Sequence, residues 1–234
     1  MALVRTDYTP DAFDDTGSAS RTTGSFTFPN NSLVIVIAKV TNDFNNATPV
    51  LSISDSNGLT WTAIADIATG GASAYEPGVR AWRATGTGAA GTITITSTGA
   101  VNIRRWRIEP FSYTGHNAAS PIGETGTNGA LATDGAASIT LSGTSAASSE
   151  VLSSLAGSLA TGTTINVDPG TSHAEIYDAP SSGWATFQTQ SYSGATGTAS
   201  WTDTLNGAGS YDKGPVGIGF EVKAASVPVF LLLA

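Results

Sequence analysis

The sequence predicts an all-β fold: a jelly-roll-like antiparallel β-sandwich built from two similar halves, with extended N- and C-terminal arms. Composition supports this first, because 27 of the 234 residues are glycine and only 12% are charged, whereas helical proteins are rich in Glu, Lys and Arg. Short segments also alternate apolar and polar residues, with Gly, Asn and Pro between them. Finally, Leu33 to Ile37 are five consecutive large aliphatic residues, which suit a strand covered on both faces.

The N-terminal residues 1 to 24 contain four aspartates among Gly, Ser and Thr, and they show neither strand nor helix periodicity. We therefore expect an extended, solvated acidic arm. A first strand is predicted at Phe26 to Phe28, and the aliphatic strand follows it after Pro29. Because Val and Ile favour the pleated backbone, we expect this aliphatic segment to be a central strand.

The next segments are joined by the turn Asp55-Ser-Asn-Gly58, which lies between alternating residues 50–53 and 59–64. An Asn-Gly turn between such segments predicts a β-hairpin. Further on, residues 101–113 alternate as a long strand. Alternation places Arg105, Arg107 and Glu109 on one face of that strand, with Trp106 and Ile108 on the other, and we expect the charged face to be solvated or salt-bridged.

The second half of the chain repeats this strand pattern. Residues 151–156 correspond to the aliphatic strand, residues 195–203 resemble 89–97, and residues 216–222 correspond to the strand around Trp106. No charged or Pro-rich linker separates the halves, so we predict one domain. The predicted organisation is an arm at 1–24, a sandwich at 25–225 with halves at about 25–115 and 138–223, and an apolar tail at 226–234.

Charge and cysteine content restrict the partners. With 18 acidic and 10 basic residues the formal net charge is −8, which repels phosphate backbones and anionic membranes, so neither nucleic acid nor a membrane is expected as a partner. The absence of cysteine excludes disulfides and thiolate metal sites. The N-terminus lacks the basic and apolar regions of a signal peptide, so we expect synthesis in a cytoplasm without export by that route.

We predict no catalytic, cofactor or metal site, and we do not expect an enzyme. The two histidines lack metal-ligand spacing, and no Gly-x-Ser-x-Gly nucleophile motif is present. A glycosidase needs two carboxylates at a defined separation, which a sequence does not give. The pairs Asp55 with Glu109 and Glu175 with Asp178 therefore stay open.

Aromatic residues suggest an alternative function as a carbohydrate-binding module. Trp61 and Trp82 lie in alternating strands and are expected in the core. Trp184, Tyr75 and Tyr211 lie in predicted loops, where their rings could stack on the sugars of a cell-surface glycan.

The C-terminal tail is the most unusual segment. Each large apolar side chain removed from water contributes ~1.5–3 kcal/mol, so an exposed tail of this kind would favour aggregation. It could dock on its own sandwich, insert into a neighbouring subunit or contact a membrane surface. Insertion into a neighbour is favoured, with these partner-binding residues: Val227, Val229, Phe230, Leu231, Leu232 and Leu233.

Several turn and core motifs support a family resemblance. They are Phe28-Pro-Asn-Asn-Ser-Leu-Val-Ile-Val36, Asp55-Ser-Asn-Gly-Leu-Thr-Trp61, Val79-Arg-Ala-Trp82, Gly91-Thr-Ile-Thr-Ile-Thr96, Phe111-Ser-Tyr-Thr-Gly115 and Pro121-Ile-Gly123. Across residues 26–223 the chain resembles β-sandwich modules of bacteriophage virion proteins, both tail-associated and capsid-decorating, and of some bacterial surface proteins.

The resemblance implies a non-enzymatic structural part of a virion, either a capsid decoration protein or a minor tail protein. Its termini would bind other virion proteins or copies of itself in an oligomer or shell. Adhesion to the host surface is a further implied role. No coiled-coil or collagen-like repeat is present, which favours a compact subunit over a long tail fibre.

Overall fold

The computed structural model describes residues 2–42, 48–69, 76–99, 103–133, 135–159, 166–180, 185–206 and 211–226. Strands in the first half are β1 Val4–Asp7, β2 Asp11–Ser18, β3 Ser20–Thr22, β4 Phe26–Thr27, β5 Leu33–Asn42, β6 Val50–Asp55, β7 Thr62–Ala68, β8 Pro77–Thr85, β9 Ala90–Gly91, β10 Ile93–Thr98 and β11 Ile103–Thr114. Those in the second half are β12 Ile122–Asn128, β13 Ala137–Thr140, β14 Glu150–Leu159, β15 Asn166–Pro169, β16 Ala174–Pro180, β17 Ala185–Ser193, β18 Thr198–Asn206 and β19 Tyr211–Val222.

The described residues contain strands and no helix, so the predicted all-β sandwich is confirmed, while its jelly-roll connectivity stays a prediction. Within these residues there is accordingly no helix that could span a membrane.

The two halves have the same strand order. In the first half, β1 and β2 pair with β11, which is followed by β5, β8 and β7; we call this inner sheet 1. In the second half, β12, β19, β14, β17 and β16 form inner sheet 2 in the equivalent order. Each half adds a three-stranded outer sheet, β3-β10-β6 in the first and β13-β18-β15 in the second. Strands β4 and β9 form a short separate ribbon.

The sheets stack in four layers, with the inner sheets facing each other. A shared core between them combines side chains from both halves: Leu33, Ile35, Ile37, Ala65, Val79, Ala81, Phe111, Tyr113, Leu152, Ala156, Ala185, Phe187, Val216, Ile218, Phe220 and Val222. Separate outer cores lie between each inner sheet and its own outer sheet. Each inner sheet is therefore covered on both faces.

This layering explains the aliphatic segment. All ten residues of β5 are buried. Ile35 and Ile37 point into the shared core, whereas Val34 and Val36 point into the first outer core. Because both faces are dry, neither alternate position needs a polar residue. The expected central strand is confirmed.

The N-terminal segment differs from the prediction, which placed an extended arm at residues 1–24 outside the sandwich. It is extended, but β1 and β2 pair with β11, and β3 pairs with β10, so residues 4–22 belong to the two sheets of the first half. An edge strand is hydrogen-bonded on one side only, to a strand that already belongs to the sheet, and it buries few side chains. A segment of this kind therefore needs no apolar periodicity of its own, which is why the sequence pattern did not reveal it.

The predicted hairpin at Asp55 to Gly58 is wrong. Gly58 does adopt a positive φ of 70°, so the turn itself is present. However, β6 pairs with β10 in the outer sheet, whereas β7 pairs with β8 in inner sheet 1. The turn thus carries the chain from one layer to the other. Local turn chemistry allows either outcome, and here β6 takes its partner from distant sequence while β7 pairs with the next strand along the chain.

Candidate functional site

Most of the predicted partner- and sugar-binding residues fall outside the described residues. This applies to the tail residues 227–234, to Trp184 and to Tyr75. Tyr211, predicted in a loop, is instead the first residue of β19, where its backbone pairs with Leu159 of β14. The loop prediction for Tyr211 is therefore wrong, because its polar and Gly-rich surroundings concealed the end of a long strand. Sugar stacking stays a prediction.

The structure brings the two ends of the described chain together at Gly115, directly after β11. Gly115 has a φ of +70°, which favours glycine, and a side chain there would collide with the backbone of Ala2. From the C-terminal side, the amide of Ala225 donates a hydrogen bond to the Gly115 carbonyl oxygen at 2.7 Å. Residues from both termini are thus held at one position.

Neighbouring backbone contacts extend this junction. His116 and Ala224 form an isolated antiparallel bridge. The amide of Asn117 donates to the carbonyl oxygen of Lys223 at 2.8 Å. The backbone after β19 is therefore fixed up to Ala225, one residue before the last described position.

A groove of about 900 Å³ lies beside this junction. Its walls come from Ala2, Leu3, Arg5 and Asp7 at the N-terminus, from residues 147–150 and Ser193 in the second half, and from residues 224–226 at the C-terminal end. Most lining side chains are Ala or Ser, so the walls present backbone and short side chains. Such a surface suits an extended peptide, which pairs through its backbone and needs little depth.

Three charged side chains line the groove: Arg5, Asp7 and Glu150. The Arg5 guanidinium forms an ion pair with the carboxylate of Glu150, and its Nε lies 2.6 Å from Oδ1 of Asp7. Burial by itself would lower the pKa of Arg5, but the negative charge of Glu150, supported by Asp7, outweighs it and the pKa is raised. Because Glu150 begins β14 and Arg5 belongs to β1, this ion pair also links the two halves at the groove.

A second polar cluster is sealed between the inner sheets. Lys39 on β5, Glu109 on β11 and Thr189 on β17 are each 0% exposed. The Lys39 Nζ lies 2.7 Å from Oε1 of Glu109 and donates to the Thr189 hydroxyl oxygen at 2.6 Å. That hydroxyl donates in turn to Oε2 of Glu109 at 2.6 Å. The three groups form a closed triangle of hydrogen bonds, and we call it the buried triad.

Further polar groups surround the buried triad. Ser154 Oγ lies 2.9 Å from the Thr189 hydroxyl, and Arg107 Nε lies 3.3 Å from Oε1 of Glu109. The Arg107 guanidinium also lies over the Tyr177 ring, 5.4 Å from its centre. This agrees with the expected salt-bridged face of β11, since Trp106 and Ile108 point into the first outer core. Burial lowers the pKa of Lys39 to about 8 even though Glu109 opposes the change.

Sequence reasoning missed the buried triad. The one available signal was a lysine at position 39, within an otherwise aliphatic strand. A charge in such a strand requires a partner, but nothing in the sequence indicates that the partners are Glu109 and Thr189. Those residues lie on other strands, and Thr189 belongs to the other half.

The two carboxylate pairs considered for glycoside hydrolysis lie in different surroundings. Asp55 accepts hydrogen bonds from the amides of Asn57 and Leu59 and from the Trp61 indole at 2.7 Å, so it stabilises its own turn. Glu109 belongs to the buried triad, between the inner sheets. Asp178 and Glu175 share β16, where burial and then the charge of Glu175 raise the pKa of Asp178 to about 6.

In the part of the chain that the structure covers, no group of three or more His, Asp or Glu side chains is placed to hold a metal ion. Comparison with known proteins found no matching protein-family model, no matching curated protein and no matching solved structure.

Proposed function

We propose that the chain is a structural protein of a bacteriophage virion, a capsid decoration or minor tail subunit that binds neighbouring virion proteins through its termini. The observation that carries this proposal is the convergence of residues 2–7 and 224–226 on one groove beside Gly115. A partner that engages one terminus at this groove also meets the other. Host-surface adhesion would be a further role of the same particle component.

The tail sequence supports the same role. Ser226 lines the groove, and the apolar residues Val227 to Leu233 follow it directly in the sequence. Burying four or five such side chains contributes ~1.5–3 kcal/mol each, which is enough to drive association with a neighbouring subunit. An extended segment that adds to a groove or a sheet edge is a common way to connect subunits.

The test is deletion of residues 227–234, followed by light scattering after size exclusion over a range of concentrations. We expect the full chain to self-associate or to bind purified virions, and the deletion to abolish either. Val50→Ser is the matched control, because Val50 is an apolar residue 50% exposed on β6, away from the groove. It should leave association unchanged.

Mass spectrometry of purified virions provides the independent measurement. The chain should be present at a fixed copy number per particle. Its absence from virions, or association that is identical with and without residues 227–234, would refute the proposed role.

A further inference from the structure

The buried triad places an amine against a carboxyl group in a region closed to water. Lys39 and Glu109 are diagonal neighbours on the paired strands β5 and β11, because Lys39 pairs with Arg107 and Glu109 pairs with Ile37. Side chains at such positions lie on the same face and are within reach of each other when they are long. Both side chains are 0% exposed.

We propose that Lys39 and Glu109 join in an intramolecular isopeptide bond, between Nζ of the lysine and Cδ of the glutamate. The strand pairing and the packing of the shared core fix both groups before reaction. Effective molarities of well-aligned intramolecular reactions reach ~10⁵ M or more, and such proximity favours a condensation that is unfavourable in free solution. Burial between the inner sheets also disfavours reversal, since hydrolysis requires water.

The reaction balances without any further reagent. A proton moves from Nζ to Oε1 along the 2.7 Å contact, which converts the ion pair into an amine and a carboxylic acid. Nζ then attacks Cδ, and negative charge develops on Oε2. When the Cδ–Oε1 bond breaks, Oε1 takes a proton from Nζ and leaves as water. One amide bond forms, one water molecule is released, and no group is oxidised or reduced.

The surroundings assist each step. Burial lowers the pKa of Lys39 to about 8, which favours the neutral amine, the nucleophilic form, compared with an exposed lysine. The Thr189 hydroxyl donates to Oε2 at 2.6 Å, on the oxygen where negative charge develops. Thr189 belongs to the second half, so the site is complete only when the two inner sheets have packed together.

The product would link two central strands of inner sheet 1 covalently. Chain segments that are distant in sequence would then be unable to separate even after local unfolding. In a cysteine-free protein this is a covalent staple that needs no disulfide. Such a bond suits a subunit under mechanical load, although the inference does not depend on the proposed virion role.

Intact mass spectrometry of the denatured full chain is the decisive experiment. We expect the wild-type mass to lie below the sequence mass by one water molecule. Lys39→Met and Glu109→Met should each have the full mass calculated from its own sequence. Each removes one reacting group and replaces it with an apolar side chain of similar length. Lys223→Met is the matched control, since Lys223 is partly exposed, and it should keep the loss of water.

Tryptic mapping identifies the bond and is informative even if the variants fail to fold. The bond predicts a peptide of residues 22–80, uncleaved at Lys39, joined to residues 108–213. A wild-type mass equal to the sequence mass would overturn the inference. So would a water loss located at Asp134–Gly135, where a succinimide could form, or a link from Lys39 to Asp178, whose charge also acts on Lys39.

Discussion

The shared core predicts that the two halves unfold together, and Phe220→Ala tests this directly. Phe220 lies on β19 in the second half, is 0% exposed, and packs in the core that combines side chains from both inner sheets. Removing a buried aromatic ring loses its transfer free energy and leaves a cavity, which together lower the free energy of unfolding by ~3–5 kcal/mol. For a chain of this size that corresponds to a fall in Tm of roughly 6–20 °C.

The informative readout is in the other half. Amide hydrogen exchange of β5, in the first half, should accelerate by between about a hundredfold and a few thousandfold in Phe220→Ala, since each 1.4 kcal/mol is about tenfold. Val50→Ala, at a half-exposed position on β6, should change stability by less than ~0.5 kcal/mol. Two separate unfolding transitions, with β5 exchange unchanged by Phe220→Ala, would refute the shared core.

Two further predictions concern the termini and the charge on β16. Gly115→Ala should lower the free energy of unfolding by about 1–3 kcal/mol and expose residues 2–7 to proteolysis. The reason is that the added Cβ would collide with the Ala2 backbone at a residue whose φ is +70°. Gly58 has the same φ with open space around it. Gly58→Ala should therefore lower the free energy of unfolding only by the smaller amount that a positive φ costs alanine. Asp178→Asn should leave stability unchanged near pH 4 and raise it at pH 7, as measured by thermal unfolding at the two pH values.

The sign for Asp178 follows from its raised pKa. The unfolded carboxyl releases its proton near its ordinary pKa, whereas the folded one retains it up to about 6. The folded state thus binds more protons than the unfolded state between about pH 4 and pH 6. The stability that the Asp178 carboxyl contributes is therefore lost as pH rises through this window. A mutant as pH-dependent as the wild type across this window would contradict the assignment.

Equal sensitivity of Gly58→Ala and Gly115→Ala to proteolysis would contradict the terminal junction.

Much of the fold was accessible from local pattern. Continuous aliphatic sequence at residues 33–37 identified β5, because a strand covered on both faces needs no alternating polar residues. Period-two alternation assigned Trp106 and Glu109 to opposite faces of β11, and the structure places them in different cores. The correspondence between residues 151–156 and the aliphatic strand is matched by the central positions of β14 and β5 in equivalent sheets.

Local sequence pattern did not predict which strands pair with each other or how the sheets stack. The turn at Asp55 has the sequence of a hairpin, yet β6 pairs with β10 in the outer sheet and β7 pairs with β8 in inner sheet 1. Strands β1 to β3 have little periodicity, since an edge strand depends on its neighbour. The groove beside Gly115 likewise depends on residues from opposite ends of the chain.

The sequence by itself determined that this protein is built of antiparallel strands and that the aliphatic strand β5 is buried on both faces. Only the tertiary structure decided which strands are neighbours, and with them the meeting of Lys39 with Glu109 and Thr189. The physical reason is that each side chain has its own preference for burial, which a sequence shows directly. The partners of a strand depend instead on the free energy of all the stacked sheets together.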